Sequence, residues 1–194
     1  KYIFELYPLS FREFLRFKDL NIQVPENEAF DRKLYDTVMP YYEEYLQFGG
    51  FPGVVLKDSP QEKRMALEDI FTSYWELEVL HLGDFRKNKA LRNLILLLAQ
   101  RVGSRIDIQR LSVELGISRP TVTDYIAFLE GTYFIKLLSP FSRGRDVELR
   151  KSPKIYLCDC GLAGYLGVLD KGALFENSVF QNLRLKGELN YSQK

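Results

Sequence analysis

The stretch IDIQRLSVELGISRPTVTDYIAFLEGTYF, residues 106–134, carries the pattern that decides the fold. Asp107 is placed to cap a short helix over residues 109–115, and Ser118 is placed to cap a second helix. A turn that begins at Gly116 separates the two helices. The second helix has apolar residues at the spacing of a half-buried helix, namely Val122, Tyr125, Ile126 and Leu129. Two short helices around a glycine-containing turn predict a helix-turn-helix.

The flanking segments extend this motif to a winged helix. Residues 133–138 and 154–158 each have the composition of a strand, and a polar loop at 142–152 joins them. A further helix precedes the motif, and its predicted packing face contains Leu91, Leu94, Ile95, Leu98 and Val102. The sequence therefore predicts a mainly α fold in which a winged helix with a β-hairpin occupies residues 89–158.

Residues 1–88 predict a helical region with three helices. Ser10 and Glu13 have the spacing of a capping box at the start of the first. The second covers residues 30–48 and is predicted to be interrupted near Pro40, because proline lacks the N–H that the helix needs. The third covers residues 60–82, with Lys63 on its solvated face. Its predicted buried stripe contains Leu67, Ile70, Phe71, Tyr74 and Leu77.

A glycine-rich loop, Gly49-Gly50-Phe51-Pro52-Gly53, follows the second helix. Clustered glycines indicate positive φ angles or close backbone approach. The loop is not a Walker A motif, because no glycine in the chain is followed by lysine. We therefore expect no ATP site within these residues.

Composition narrows the class of protein. The 194 residues carry a net charge of +1, whereas a dedicated nucleic-acid binder is usually strongly basic, although a local basic patch remains compatible with this balance. Cys158 and Cys160 are too close for an ordinary disulfide, which favours a reducing, cytoplasmic setting. No apolar run approaches the length of a membrane span.

Three titratable residues outside the winged helix are candidates for chemistry. His81 lacks a second histidine or a nearby cysteine, so we predict no metal site there and favour a cation at a helix C-terminus over a catalytic base. Asp159 follows a predicted strand, where catalytic acids often lie, but it is equally placed to cap the next helix, and we favour the cap. Glu176 stands in the first turns of the last predicted helix.

Six motifs together carry a resemblance to a known family. They are LYPLSFREFL at 6–15, GGFP at 49–52, TVTDYIAFLE at 121–130, KSPKIY at 151–156, DCGL at 159–162 and FENSVF at 175–180. In this order they resemble a large family of bacterial and archaeal AAA+-type ATPases, in which a conserved domain of unknown function follows the ATPase module. The resemblance covers nearly the whole chain.

The resemblance implies a fragment of a longer protein. It implies that the ATPase module, with its ATP and Mg²⁺, is missing, and that residues 159–194 are the truncated start of an α/β module with a PD-(D/E)xK nuclease-like fold. Glu176 matches that fold's first-helix acid, and the remaining acidic ligands would lie beyond Tyr191. Because one carboxylate cannot hold a catalytic divalent metal, the chain alone is expected to be catalytically inert and to contain no cofactor.

Two functions follow from these predictions. In the first, the winged helix binds DNA through its second helix and its wing. The predicted contact residues are Arg119, Thr121, Thr123, Arg143, Arg145, Arg150 and Lys151. Against it stand four acids on the same surfaces, Asp124, Glu130, Asp146 and Glu148. In the second, the region couples the ATPase to the nuclease-like module and mediates self-association into a homo-oligomer. An enzyme within these residues would need Asp159, Glu176 and His81 to converge.

Overall fold

The structure is a computed structural model that describes residues 5–24, 31–79, 85–140 and 152–184. The fold is mainly helical with a small antiparallel sheet, as predicted. The helices are α1 (Phe11–Phe17), α2 (Arg32–Phe48), α3 (Pro52–Val55), α4 (Pro60–Tyr74), α5 (Phe85–Ala99), α6 (Ile108–Leu115), α7 (Arg119–Gly131), α8 (Cys160–Leu166) and α9 (Lys171–Arg184). The strands are β1 (Ile135–Leu138) and β2 (Lys154–Leu157), and a π-helical turn, Trp75–Val79, continues α4.

The predicted helix-turn-helix is confirmed, including the caps that start both helices and the turn at Gly116 between them. The Asp107 carboxylate accepts the Arg110 N–H at 2.9 Å at the start of α6, and Gly116 ends that helix in the left-handed conformation with φ of 65°. Ser118 caps α7 through the Thr121 N–H. The predicted apolar stripe of α7 and the predicted packing face of α5 are both buried.

The sheet completes the winged helix. β1 and β2 pair antiparallel, with Ile135 opposite Leu157 and Leu138 opposite Lys154. The segment before α6 lies along the other edge of β2, where the Gly103 N–H donates to the Ile155 carbonyl at 2.8 Å. Residues 141–151, which contain the predicted loop up to its last residue, are outside the described part of the chain.

The N-terminal helices contain an apolar cluster around Tyr45. Tyr45 is buried among Phe14, Leu15 and Val38, and its hydroxyl donates to the Leu9 carbonyl at 2.8 Å. Helices α8 and α9 both pack against α2, so the C-terminal residues contact the region that precedes the winged helix.

Three predictions for α2 and α4 are wrong. Helix α2 continues through Pro40, because the second half of the helix is held by the burial of Tyr45, Leu46 and Phe48. Leu77 is 66% exposed, because the π-helical turn changes the residue spacing and buries Val79 instead. Lys63 is not solvated but buried, and its ammonium pairs with the Glu44 carboxylate.

Candidate functional site

The exposed side of α7 is the surface on which the sequence predicted DNA contacts. Arg119, Thr123 and Asp124 are exposed in the first two turns of the helix, and Thr121 is half-buried. The opposite side of α7 is packed into the core through Val122 and its stripe. The fold therefore brings Arg119, Thr121 and Thr123 together at the N-terminal end of α7.

The two threonine hydroxyls are already engaged locally. Thr121 Oγ1 lies 2.7 Å from Ser118 Oγ, and Thr123 Oγ1 donates to the Arg119 carbonyl at 3.0 Å. Because a hydroxyl has one proton and two lone pairs, Thr123 keeps acceptor capacity toward a ligand. Arg119 is then the charged donor of this surface.

Other cations near the motif are neutralised within the fold. Arg101 and Arg110 share the carboxylate of Glu114, with Arg110 Nε at 2.9 Å. Their hydrogen bonds, that of Arg110 first, lower the pKa of Glu114. Lys136 pairs with Glu130 at 3.0 Å. Arg119, by contrast, has no ion-pair partner among the residues that the structure describes.

Several predicted site residues lie outside the described residues. These are the wing cations Arg143, Arg145, Arg150 and Lys151, the wing acids Asp146 and Glu148, and the histidine, His81. The contribution of the wing to DNA binding therefore stays a prediction.

Glu176 bridges α9 to the sheet. Its Oε1 accepts hydrogen bonds from Lys154 Nζ at 2.8 Å and from the Tyr156 hydroxyl at 2.7 Å. Burial alone would raise the pKa of Glu176, but the bonds from Lys154 and Tyr156 outweigh it and hold the pKa below its ordinary value. A β-carbon on Gly103 would lie 2.9 Å from the Glu176 carboxylate, so the glycine leaves room for it. The carboxylate thus serves as an ionised link between α9 and β2.

Asn177, for which the sequence predicted no role, holds the edge of β2. Its Oδ1 accepts the Leu157 N–H at 3.0 Å and its Nδ2 donates to the Leu157 carbonyl at 3.3 Å. Asn177 is fully buried, as is Ser178, whose hydroxyl lies 3.0 Å from that of Tyr42. Polar residues beside Glu176 in an apolar helix pattern are the signal that could have indicated these contacts.

Asp159 caps α8, as predicted, and also holds the glycine-rich loop. Its Oδ1 accepts the Leu162 N–H at 3.0 Å, and its Oδ2 accepts the Gly50 N–H at 2.7 Å. The loop has both predicted backbone features: Gly49 has φ of 77°, and a β-carbon on Gly50 would lie 2.2 Å from the Leu9 carbonyl oxygen. Burial raises the pKa of Asp159 to about 6, although the backbone N–H groups of Gly50, Leu162 and Gly161 lower it.

The raised pKa of Asp159 predicts that the stability of the fold decreases as the pH rises. Because the native state holds the proton up to a higher pH than the unfolded chain does, ionisation above the ordinary pKa of 3.8 disfavours folding. We expect the free energy of unfolding of the wild type, relative to Asp159→Asn, to fall by about 2 kcal/mol as the pH rises from 4 to 6.5 and then to level off. Urea unfolding of both proteins across this range measures it.

Asp107→Asn is the matched control, because Asp107 caps α6 through the same type of bond but is exposed. The free energy of unfolding of the wild type, relative to Asp107→Asn, should not fall between pH 4 and 6.5. If the free energy of unfolding of the wild type relative to Asp159→Asn did not change across this range, the claim that buried Asp159 holds its proton in the native state would be wrong.

Asp159 and Glu176 have separate partners, Gly50 and Leu162 for the first and Lys154 and Tyr156 for the second. Within the described ranges, no three His, Cys, Asp or Glu side chains form a group suited to a metal ion. No helix in those ranges is both long and apolar enough to cross a membrane.

Comparisons with known proteins place the chain among relatives of similar sequence. It is 28% identical to an uncharacterized protein of Methanocaldococcus jannaschii and 32% identical to an uncharacterized protein of Haemophilus influenzae, over 94% of the chain in both cases. It spans 42% and 45% of the lengths of these two relatives. No solved structure matches it significantly. The family model described as a domain of unknown function, DUF8612, matches residues 39–173, and the chain therefore belongs to that family.

Proposed function

We propose that this chain binds duplex DNA through the N-terminal turns of α7. The observation that supports the proposal is the exposure of Arg119 and Thr123 on a helix whose opposite side is buried. The second helix of a helix-turn-helix enters the major groove with its N-terminal residues toward the bases. Arg119 would donate to guanine or phosphate oxygens, and Thr123 would accept from a base amine.

The neutralised cations limit how strongly this surface attracts DNA. Glu114 offsets Arg101 and Arg110, and Asp124 stands beside the proposed contacts. Since each phosphate contact adds to the salt dependence of binding, few free cations give a shallow dependence. In this proposal the wing, with Arg143, Arg145, Arg150 and Lys151, contributes the remaining phosphate contacts.

Arg119→Ala is expected to weaken DNA binding about tenfold, because it removes a charge-assisted donor from the interface. Fluorescence anisotropy with a short labelled duplex, across a salt series, measures the affinity and the number of phosphate contacts from the log–log slope. Arg16→Ala is the matched control, since Arg16 is an exposed arginine on α1. Absence of binding by the wild type at low salt would contradict the proposal.

A second candidate function is a coupling module that also self-associates. The packing of α8 and α9 against α2 favours it, because the chain on both sides of the winged helix meets there. In this role Asp124 and the internally paired arginines would present a protein-binding surface. Sedimentation velocity distinguishes the two: a discrete oligomer without DNA affinity supports coupling, and a monomer that binds DNA supports the first proposal.

In both cases we propose that the chain is a non-catalytic part of a longer cytoplasmic ATPase. The greater length of the relatives and the sequence motifs support this, and the nuclease-like module belongs to the same proposal. Free Cys158 and Cys160 are compatible with a reducing compartment.

A further inference from the structure

A groove of about 730 Å³ opens between α2, α4, α8 and the start of α9. Helices α6 and α7 do not line it, so it is separate from the proposed DNA surface. Its volume lies in the range of small-molecule sites, which are usually mostly apolar with a few placed polar groups. We call this feature the α8 groove.

Apolar side chains and two glycines shape the α8 groove. Phe48 and Leu67 are buried side chains that line it, and Leu166 and Leu174 are half-buried there. Gly161 and Gly164 lie on the lining side of α8. At Gly164 the lack of a side chain keeps the groove wide, because a β-carbon there would already touch Leu174 at 3.4 Å.

The charged side chains that line the α8 groove differ in whether they have an ion-pair partner. Lys171 Nζ pairs with Glu43 Oε1 at 2.9 Å, which neutralises one part of the lining. Arg64 also lines the groove, is exposed, and has no ion-pair partner in the part of the chain that is described. The lining therefore combines an apolar wall with one net positive charge at Arg64.

We propose that the α8 groove binds an amphipathic anion, a small molecule with an apolar chain or ring and a single carboxylate. The apolar part would lie against Phe48, Leu67 and Leu174, where it gains from burial. The carboxylate would receive the two parallel N–H bonds that an arginine guanidinium offers. The positive charge of Arg64 would disfavour cations of the same length.

The test uses decanoate as the probe and nuclear magnetic resonance of the ¹⁵N-labelled chain. Decanoate is expected to shift the amide signals of Gly164 and Gly167 saturably, with decyltrimethylammonium leaving them unchanged. Arg64→Gln should weaken decanoate binding about tenfold, whereas Arg16→Gln, the same charge change on α1, should leave it unchanged.

Gly164→Leu provides an independent test, because its side chain would fill the groove while improving helix propensity in α8. It should abolish the decanoate shift of the Gly167 amide without loss of thermal stability. Equal binding of the cationic probe, binding that survives both variants, or no binding of decanoate by the wild type would each overturn the proposal.

Discussion

Gly161→Ala is expected to destabilise the chain by about 3 kcal/mol or more, whereas Gly164→Ala, on the same helix, is expected to be neutral or slightly stabilising. A β-carbon on Gly161 would lie 2.2 Å from the carbonyl carbon and oxygen of Phe48 and 2.6 Å from the Gly49 nitrogen. These are backbone atoms at the end of α2, and they cannot move aside as a flexible side chain can. Helices α2 and α8 would have to separate.

The cost of separation is large because this contact is central to the fold. The Gly49–Gly50 loop, the Asp159 carboxylate and the start of α8 all meet there. At Gly164 the nearest heavy atom to an added β-carbon is a Leu174 side-chain carbon at 3.4 Å, an ordinary van der Waals contact. Within a helix, alanine is also more stabilising than glycine by about 0.5–1 kcal/mol, because glycine loses more backbone entropy on folding.

Chemical unfolding of both variants measures this prediction, with the wild type as reference. Should Gly161→Ala not fold, its failure beside a stable Gly164→Ala would still agree with the expected clash. Equal stabilities for the two variants would show that α2 and α8 do not approach as closely as described.

Glu44→Gln is expected to cost about 3 kcal/mol, because it leaves the buried ammonium of Lys63 without its counter-charge. Lys63 is 4% exposed, and its Nζ lies 5.6 Å from the centroid of the Phe48 ring. Glu44 also accepts from Lys18 Nζ at 2.7 Å. Burial alone would raise the pKa of Glu44, but the bonds from Lys18 and Lys63 outweigh it and hold the pKa below its ordinary value.

The companion variant Lys63→Met should stay within about 1 kcal/mol of the wild type, because methionine fills similar space and Glu44 keeps Lys18. Combined with Glu44→Gln, it should recover most of the lost stability. Urea unfolding of the two single variants and the double variant gives the coupling energy directly. Additive effects would contradict a dependence of Lys63 on Glu44.

The sequence predicts the local parts of this fold well. The capping residues Ser10, Asp107 and Ser118 start the helices that they were expected to start, since a cap depends on neighbours three residues away. The α7 stripe is equally local, because helical spacing alone decides which residues share a face.

What the sequence cannot predict depends on partners far along the chain. The sequence around Lys63 indicates a solvated lysine, because it does not show that α2 places Glu44 beside it. In the same way, the sequence around Asn177 does not show that its side chain pairs with Leu157. The predicted burial of Leu77 is wrong for another reason. A single turn of π-helix changes the residue spacing on which the prediction rests. For the proposed DNA surface, position was predictable, but the engagement of Arg101 and Arg110 by Glu114 was not.

The bond between the Gly50 N–H and the Asp159 carboxylate joins positions 109 residues apart in sequence. Topologically, the chain leaves this point, builds the whole winged helix, and returns to it. This bond therefore closes a loop of the chain that contains α3, α4 and the helices and strands of the winged helix. A displacement of the glycine-rich loop would reach α8 across one hydrogen bond, without passing through the helix-turn-helix at all.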